Sequence, residues 1–142
     1  MEIREIFGRN LNITHDIRNR FEKLETYFLF RGKDNKNIFM LCLALGYRKG
    51  VKTPFKNATG LVNITSLTDE DLFSIAAIAV DETNEISTLS NGPLMKKTAL
   101  EYVGTGLEEL EQLATEHRSG ENLELAIEEI AVDAVKEINI EN

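Results

Sequence analysis

Residues 36–50 read Lys36-Asn37-Ile38-Phe39-Met40-Leu41-Cys42-Leu43-Ala44-Leu45-Gly46-Tyr47-Arg48-Lys49-Gly50. Eight consecutive residues, Ile38 to Leu45, are apolar, far fewer than the ~20 needed to span a bilayer. The run has no period-2 alternation. Asp34 or Asn35 can cap its start, Arg48 and Lys49 suit the negative end of a helix dipole, and Gly50 is a natural stop. The expected element is a helix from Lys36 to about Tyr47. Such a helix, apolar nearly all round, belongs in the middle of a core. Gly46 lets another backbone come close or weakens the last turn.

The segments on either side extend the helical pattern. Ile17, Phe21, Leu24 and Phe28 recur at spacings of four, three and four, one helical stripe that Thr14 or Asp16 can cap. Thr68 followed three residues later by Asp71 makes a capping-box-like start for a helix from Asp69 to about Val80. Gly92-Pro93 opens a longer helix, Leu94 to about His117, with Ala99, Tyr102, Val103, Gly106, Leu110, Leu113 and Ala114 on one face. Gly104 and Gly106 call for a kink or close packing. A last amphipathic helix runs from Asn122 to about Ile138. Val51–Leu67 is a long connection that could hold a short extended piece at Gly60–Ile64. At the start, Ile3, Ile6 and Phe7 could make one helical turn or a brief strand. The expected fold is all-α: a compact bundle of about five helices with little or no strand. It forms one domain over 1–142, with 121–142 able to act as a packing arm.

Charge divides the chain unevenly. The whole sequence is net −8, yet its first 56 residues hold 12 Lys and Arg against 6 Asp and Glu, and the remaining 86 hold 4 against 18. Such asymmetry points to two different surfaces, and a basic surface attracts phosphate or an acidic partner. It equally suits docking of the two halves on each other or on a second copy. Arg48, Lys49, Lys52 and Lys56 lie at a helix end and in the loop after it, where long cationic side chains reach a phosphate backbone or an acidic partner. Tyr47 and Phe55 could stack on bases or plug the core edge. The acidic face of the last helix, Glu124, Glu128, Asp133 and Glu137, is the candidate surface for a protein partner.

Catalytic and metal patterns are not found. One cysteine and two scattered histidines, His15 and His117, do not supply the three or four ligands of a zinc site. Cys42 between two leucines reads as a buried thiol, and a single cysteine agrees with a reducing, cytoplasmic compartment. The first residues lack the basic start and apolar run of a signal peptide, so the Asn-x-Thr triplets at Asn12, Asn57 and Asn63 are not expected to carry glycans. Asp69-Glu70-Asp71 could in principle hold Mg²⁺, and helix capping explains the same residues without an ion. The glycines match neither a phosphate loop nor a dinucleotide fingerprint. The expectation is a non-enzyme with no cofactor, no metal and no membrane contact.

The stretch Lys36 to Phe55, an apolar helix ending in Ala44-Leu45-Gly46-Tyr47 before a basic turn and Pro54, resembles the start of small proteins associated with the Dnd DNA phosphorothioation systems of bacteria. Leu100-Glu101-Tyr102-Val103-Gly104-Thr105-Gly106-Leu107-Glu108-Glu109-Leu110 is similar to their C-terminal Glu-Tyr-Ala-x-x-Gly helix. The two blocks cover about half the chain, and neither is a catalytic signature. The acidic helix after Gly120 departs from that pattern. The resemblance implies an accessory component of anti-phage defence that works beside a larger nuclease, ATPase or DNA-modifying subunit, and it transfers no catalytic residue. Self-association and contact with the DNA backbone are further expectations. A second likeness is to ribbon-helix-helix DNA-binding regulators, with Tyr27–Phe30 as the strand and Lys36–Tyr47 as the first helix. A phage-encoded inhibitor of a defence complex could be equally small and acidic.

Overall fold

The computed structural model describes residues 3–7, 11–24, 35–54, 61–64 and 67–116, together with positions 125 and 129. Helices account for most of them: α1 (Ile3–Phe7), α2 (His15–Leu24), α3 (Asn35–Lys49), α4 (Asp69–Thr83) and α5 (Gly92–Glu116), with a short 3₁₀ helix at Ile86–Ser90. The all-α reading holds. One antiparallel ribbon accompanies the helices, β1 (Leu11–Thr14) against β2 (Leu61–Ile64), in the register Leu11↔Ile64 to Thr14↔Leu61. The extended piece expected near residues 60–64 is β2. Positions 125 and 129 have helical backbone and are exposed. The rest of the expected last helix lies outside the described residues.

Local signals start and stop these helices where the side chains demand. Thr68 accepts a hydrogen bond from the Asp71 N–H at 3.1 Å, and the Asp71 carboxylate accepts one from the Thr68 N–H at 2.9 Å, so the capping box is closed from both sides. At the other end of α4, Asn84 takes φ +57° and its N–H bonds the Val80 carbonyl. Asn91 caps α5 by accepting from the Leu94 N–H at 3.1 Å. α3 stops at Gly50, whose φ of +74° returns its N–H to the Gly46 and Tyr47 carbonyls at 3.1 and 3.0 Å.

The sequence pattern makes α3 the central helix, and the structure shares that role with α5. Ile38, Phe39, Cys42 and Leu43 are buried, whereas Ala44 is exposed and Met40 and Leu41 are half-buried. On α5, every residue from Thr98 to Leu107 is buried except the half-buried Glu101. This helix touches α1, α2, α3, α4 and the 3₁₀ helix. Its most extensive neighbour is α3, and the reason is local. A Cβ at Gly106 would overlap the Cys42 carbonyl, and one at Gly46 would overlap the Tyr102 carbonyl. With no side chain at either position the two backbones touch directly, which brings Phe39, Leu43, Val103, Leu107 and Leu110 into one core with Phe21 of α2 and Ile75 of α4. Of the two readings of Gly104 and Gly106, close packing is the correct one at Gly106, and α5 runs unbroken through both.

Polar groups inside this core are paired. Among the described residues no buried side-chain nitrogen or oxygen lacks a hydrogen-bond partner. Thr88 meets Thr83 and Thr105 meets Thr53, each at 2.7 Å between hydroxyl oxygens. Arg20 of α2 grips Glu111 of α5 with two guanidinium nitrogens, Nε at 3.0 Å and Nη2 at 2.5 Å. That bidentate pair ties α2 to the far end of the central helix, and the Glu111 hydrogen bond raises the Arg20 pKa further.

Candidate functional site

The C-terminal end of α3 emerges from the core at Tyr47. From there Arg48, Lys49, Gly50, Val51 and Lys52 are all exposed. Two of the four expected cations, Arg48 and Lys49, stand side by side in the last turn, where they also offset the negative end of the helix dipole. A surface cleft of about 250 Å³ is lined by both of them together with Leu45 and Glu109. The Glu109 carboxylate, contributed by α5, opposes an anion entering that cleft. The arrangement therefore suits a ligand that presents phosphate or carboxylate groups across the outer faces of Arg48 and Lys49. It does not suit a small anion swallowed whole.

The chain leaving this turn is strapped down. The Thr53 N–H donates to the Glu101 carbonyl at 3.0 Å, and its hydroxyl meets that of Thr105 at 2.7 Å. Gly104 lies beside the strap, but a Cβ there would meet nothing closer than the Thr53 Cβ at 3.4 Å, an ordinary contact. The strap fixes where the residues after α3 begin, so Arg48, Lys49 and Lys52 leave from a defined backbone.

Lys52 turns to α4. Its ammonium lies 2.5 Å from one oxygen of Glu82, at the end of α4, and the other oxygen accepts from the Tyr102 hydroxyl at 2.6 Å. Tyr47 closes the group. Its hydroxyl donates to Asp81, and its ring meets that of Tyr102 edge-on, centroids 5.7 Å apart at 89°. The Lys52 and Tyr102 bonds hold the Glu82 carboxyl below its usual range, and Glu82 in turn raises the Lys52 pKa. Burial first, and then the bond to Glu82, push the Tyr102 phenol well above its ordinary value. Tyr47 thus stands at the edge of the core, held by two partners yet 38% exposed.

Lys56 and Phe55 lie outside the described residues, as do Glu124, Glu128, Asp133 and Glu137 of the acidic face. Cys42 is fully buried, and desolvation lifts its thiol far above the range of a reactive cysteine. Asp71 serves the helix cap and meets Lys36 at 3.4 Å. Burial pushes its carboxyl up, and the hydrogen bonds from Thr68 and Lys36 outweigh this and bring it below its usual value. Among the described residues no three His, Cys, Asp or Glu side chains gather as a metal site, and no helix is long and apolar enough to cross a membrane. The residues around this candidate site that spacing could not single out are Glu82, Asp81, Tyr102 and Glu109, since each comes from another helix. No protein-family model matches the sequence, and neither a curated protein nor a solved structure matches it.

Proposed function

We propose that this chain is a non-enzymatic accessory subunit of a prokaryotic anti-phage defence or DNA-processing complex, working in the cytoplasm by protein–protein contact. Arg48 and Lys49 face the DNA backbone handled by that complex. The observation that carries this reading is the exposed cationic turn at the end of α3, fixed in position by the Gly50 stop and the Thr53 strap. Such a turn offers charge to phosphate while carrying no set of side chains arranged to read base edges. Support also comes from the two blocks that resemble Dnd-associated proteins, residues 36–55 and 100–110. They are far apart in sequence and meet where α3 and α5 touch at Gly46 and Gly106, so the likeness falls on one structural unit. The acidic residues after Gly120, which the sequence puts at Glu124, Glu128, Asp133 and Glu137, are the proposed contact with the larger subunit.

The test is purification of the tagged full chain from its native host, with the R48E/K49E variant alongside. The expected result is a larger nuclease, ATPase or DNA-modifying protein at fixed stoichiometry with both chains, and DNA retained only with the unaltered one. A chain that purifies alone and binds duplex DNA tightly at physiological salt would instead be a free-standing regulator.

A further inference from the structure

The sides of α4 are used unequally. Leu72, Ile75, Ala76 and Ala79 are buried and face the core. One flank turns to α3: Asp71 meets Lys36 at 3.4 Å, Glu82 meets Lys52 at 2.5 Å, and Ile78 is half-buried on the same side. The other flank carries Phe73, Ala77 and Val80, whose spacings of four and three make one helical stripe. Phe73 is 59% exposed, Ala77 is exposed and Val80 is half-buried. Charge brackets this stripe. Glu70 precedes Phe73 by three residues, and Asp81, which accepts from the Tyr47 hydroxyl, follows Ala77 by four. A carboxylate therefore stands at each end of the apolar residues. The helix holds Asp69, Glu70, Asp71, Asp81 and Glu82 and no Lys or Arg, so nothing on α4 itself answers that charge.

We infer that the Phe73–Ala77–Val80 flank of α4 is a docking surface for a basic amphipathic helix of another protein, with the Phe73 ring as its apolar anchor. The chemistry of the occupant follows from what covering the stripe does to its ends. A neutral or acidic helix laid there would draw Glu70 and Asp81 out of water with no cation to meet them, and a stripe of three apolar residues does not offset that cost. Lys or Arg side chains about three helical turns apart, roughly 16 Å, meet both carboxylates. Between them, apolar residues at helical spacing pack against Phe73 and Ala77, as an amphipathic helix does against an apolar face. The α4 helix of a second copy is a poor match, because it brings the same carboxylates and no cation. The surface stands on α4 alone. A chain that proved to work without a larger subunit would lose the accessory role and keep this flank.

The experiment is fluorescence anisotropy of a labelled helical peptide of about four turns, with leucines at helical spacing and lysines elsewhere, titrated with the full-length chain at physiological salt. The peptide is expected to bind the unaltered chain. Phe73→Ser should weaken it about tenfold, and Ala77→Glu by a similar factor. Glu70→Gln should weaken it about threefold. Ile86→Ser should change it by less than about twofold, although Ile86 is 78% exposed, because it lies off the stripe. The Tm of Phe73→Ser should stay within about 2 °C of the unaltered chain, as for a surface substitution. Equal binding by Phe73→Ser and Ala77→Glu would mean that charge alone holds the peptide, and would overturn the inference. So would equal binding of a peptide with the same composition and scrambled leucines, or of one with glutamates in place of the lysines. If the unaltered chain is a dimer in sedimentation and Phe73→Ser dissociates it, the occupant is a second copy and the inference is overturned. A fall of several degrees in the Tm of Phe73→Ser would show that the chain covers the ring itself, which overturns it as well. Failure of the leucine–lysine peptide to bind the unaltered chain does the same.

Discussion

Replacing Gly106 with alanine adds one methyl group at the tightest point of the molecule. The new Cβ would overlap the Cys42 carbonyl oxygen and lie 2.5 Å from its carbon and 2.8 Å from the Cys42 Cα. Ordinary carbon contacts sit near 3.5–4.0 Å, so α3 and α5 must separate by about 1 Å along a shared core. Alanine in a helix interior gains about 1 kcal/mol over glycine, and overpacking a dense core costs about 1–3 kcal/mol, sometimes more. Here the obstacle is backbone, which cannot rotate away, and the upper part of that range applies. The net expectation is a loss of about 2 kcal/mol, or a fall in Tm of about 8 °C for a chain of this size. Gly104→Ala is the internal control, two residues away in the same helix. Its Cβ would meet nothing closer than 3.4 Å, so the propensity gain dominates, and the variant should be neutral or up to about 1 kcal/mol more stable. Urea unfolding followed by circular dichroism reads both. Two alanines that shift stability by the same amount in the same direction would show that helix propensity alone governs these positions. The direct backbone contact of α3 and α5 would then be refuted.

Two further variants test other parts of the scaffold. Arg20→Ala removes the partly buried bidentate grip on Glu111 and should cost about 1–2 kcal/mol in urea melts; unchanged stability would mean that water replaces the bridge at no loss. Asp71→Asn opens the α4 capping box and should cost about 1 kcal/mol at neutral pH. Because the folded Asp71 carboxyl sits below its ordinary value of 3.8, its contribution is complete above that value and fades as pH falls through the folded pKa. The difference between the two proteins should therefore close in acid, and a difference that widens there would contradict the assigned direction.

Much of the scaffold can be read directly from local pattern. The apolar run of α3, the Thr68–Asp71 box and the Gly50 stop are each written within a few neighbouring residues, and each lies where expected. β1 is not legible in this way. Leu11-Asn12-Ile13-Thr14 alternates apolar and polar residues over four positions only, too few to mark a strand, and its partner Leu61–Ile64 lies about fifty residues on, so the tertiary fold defines the strand. The centrality of α5 is hidden for a related reason. Its Gly104-Thr105-Gly106 segment adds little to an apolar stripe, yet those small residues are where α3 and the Thr53 strap come closest. At the candidate site, Arg48 and Lys49 follow from sequence because they are adjacent on one turn. The engagement of Lys52 does not, because Glu82 reaches it from α4 and is itself held by Tyr102 of α5. A cation count along the chain treats Lys52 and Lys49 alike, and only the geometry separates them.

The most direct test of the accessory role is the composition and mass of the complex formed by the full chain in its own host. The tagged protein should elute with a larger DNA-processing subunit at constant ratio, above the mass of the chain alone. R48E/K49E should keep that subunit while losing the associated DNA. Recovery of the unaltered chain by itself, with no larger subunit at any fixed ratio, would contradict it.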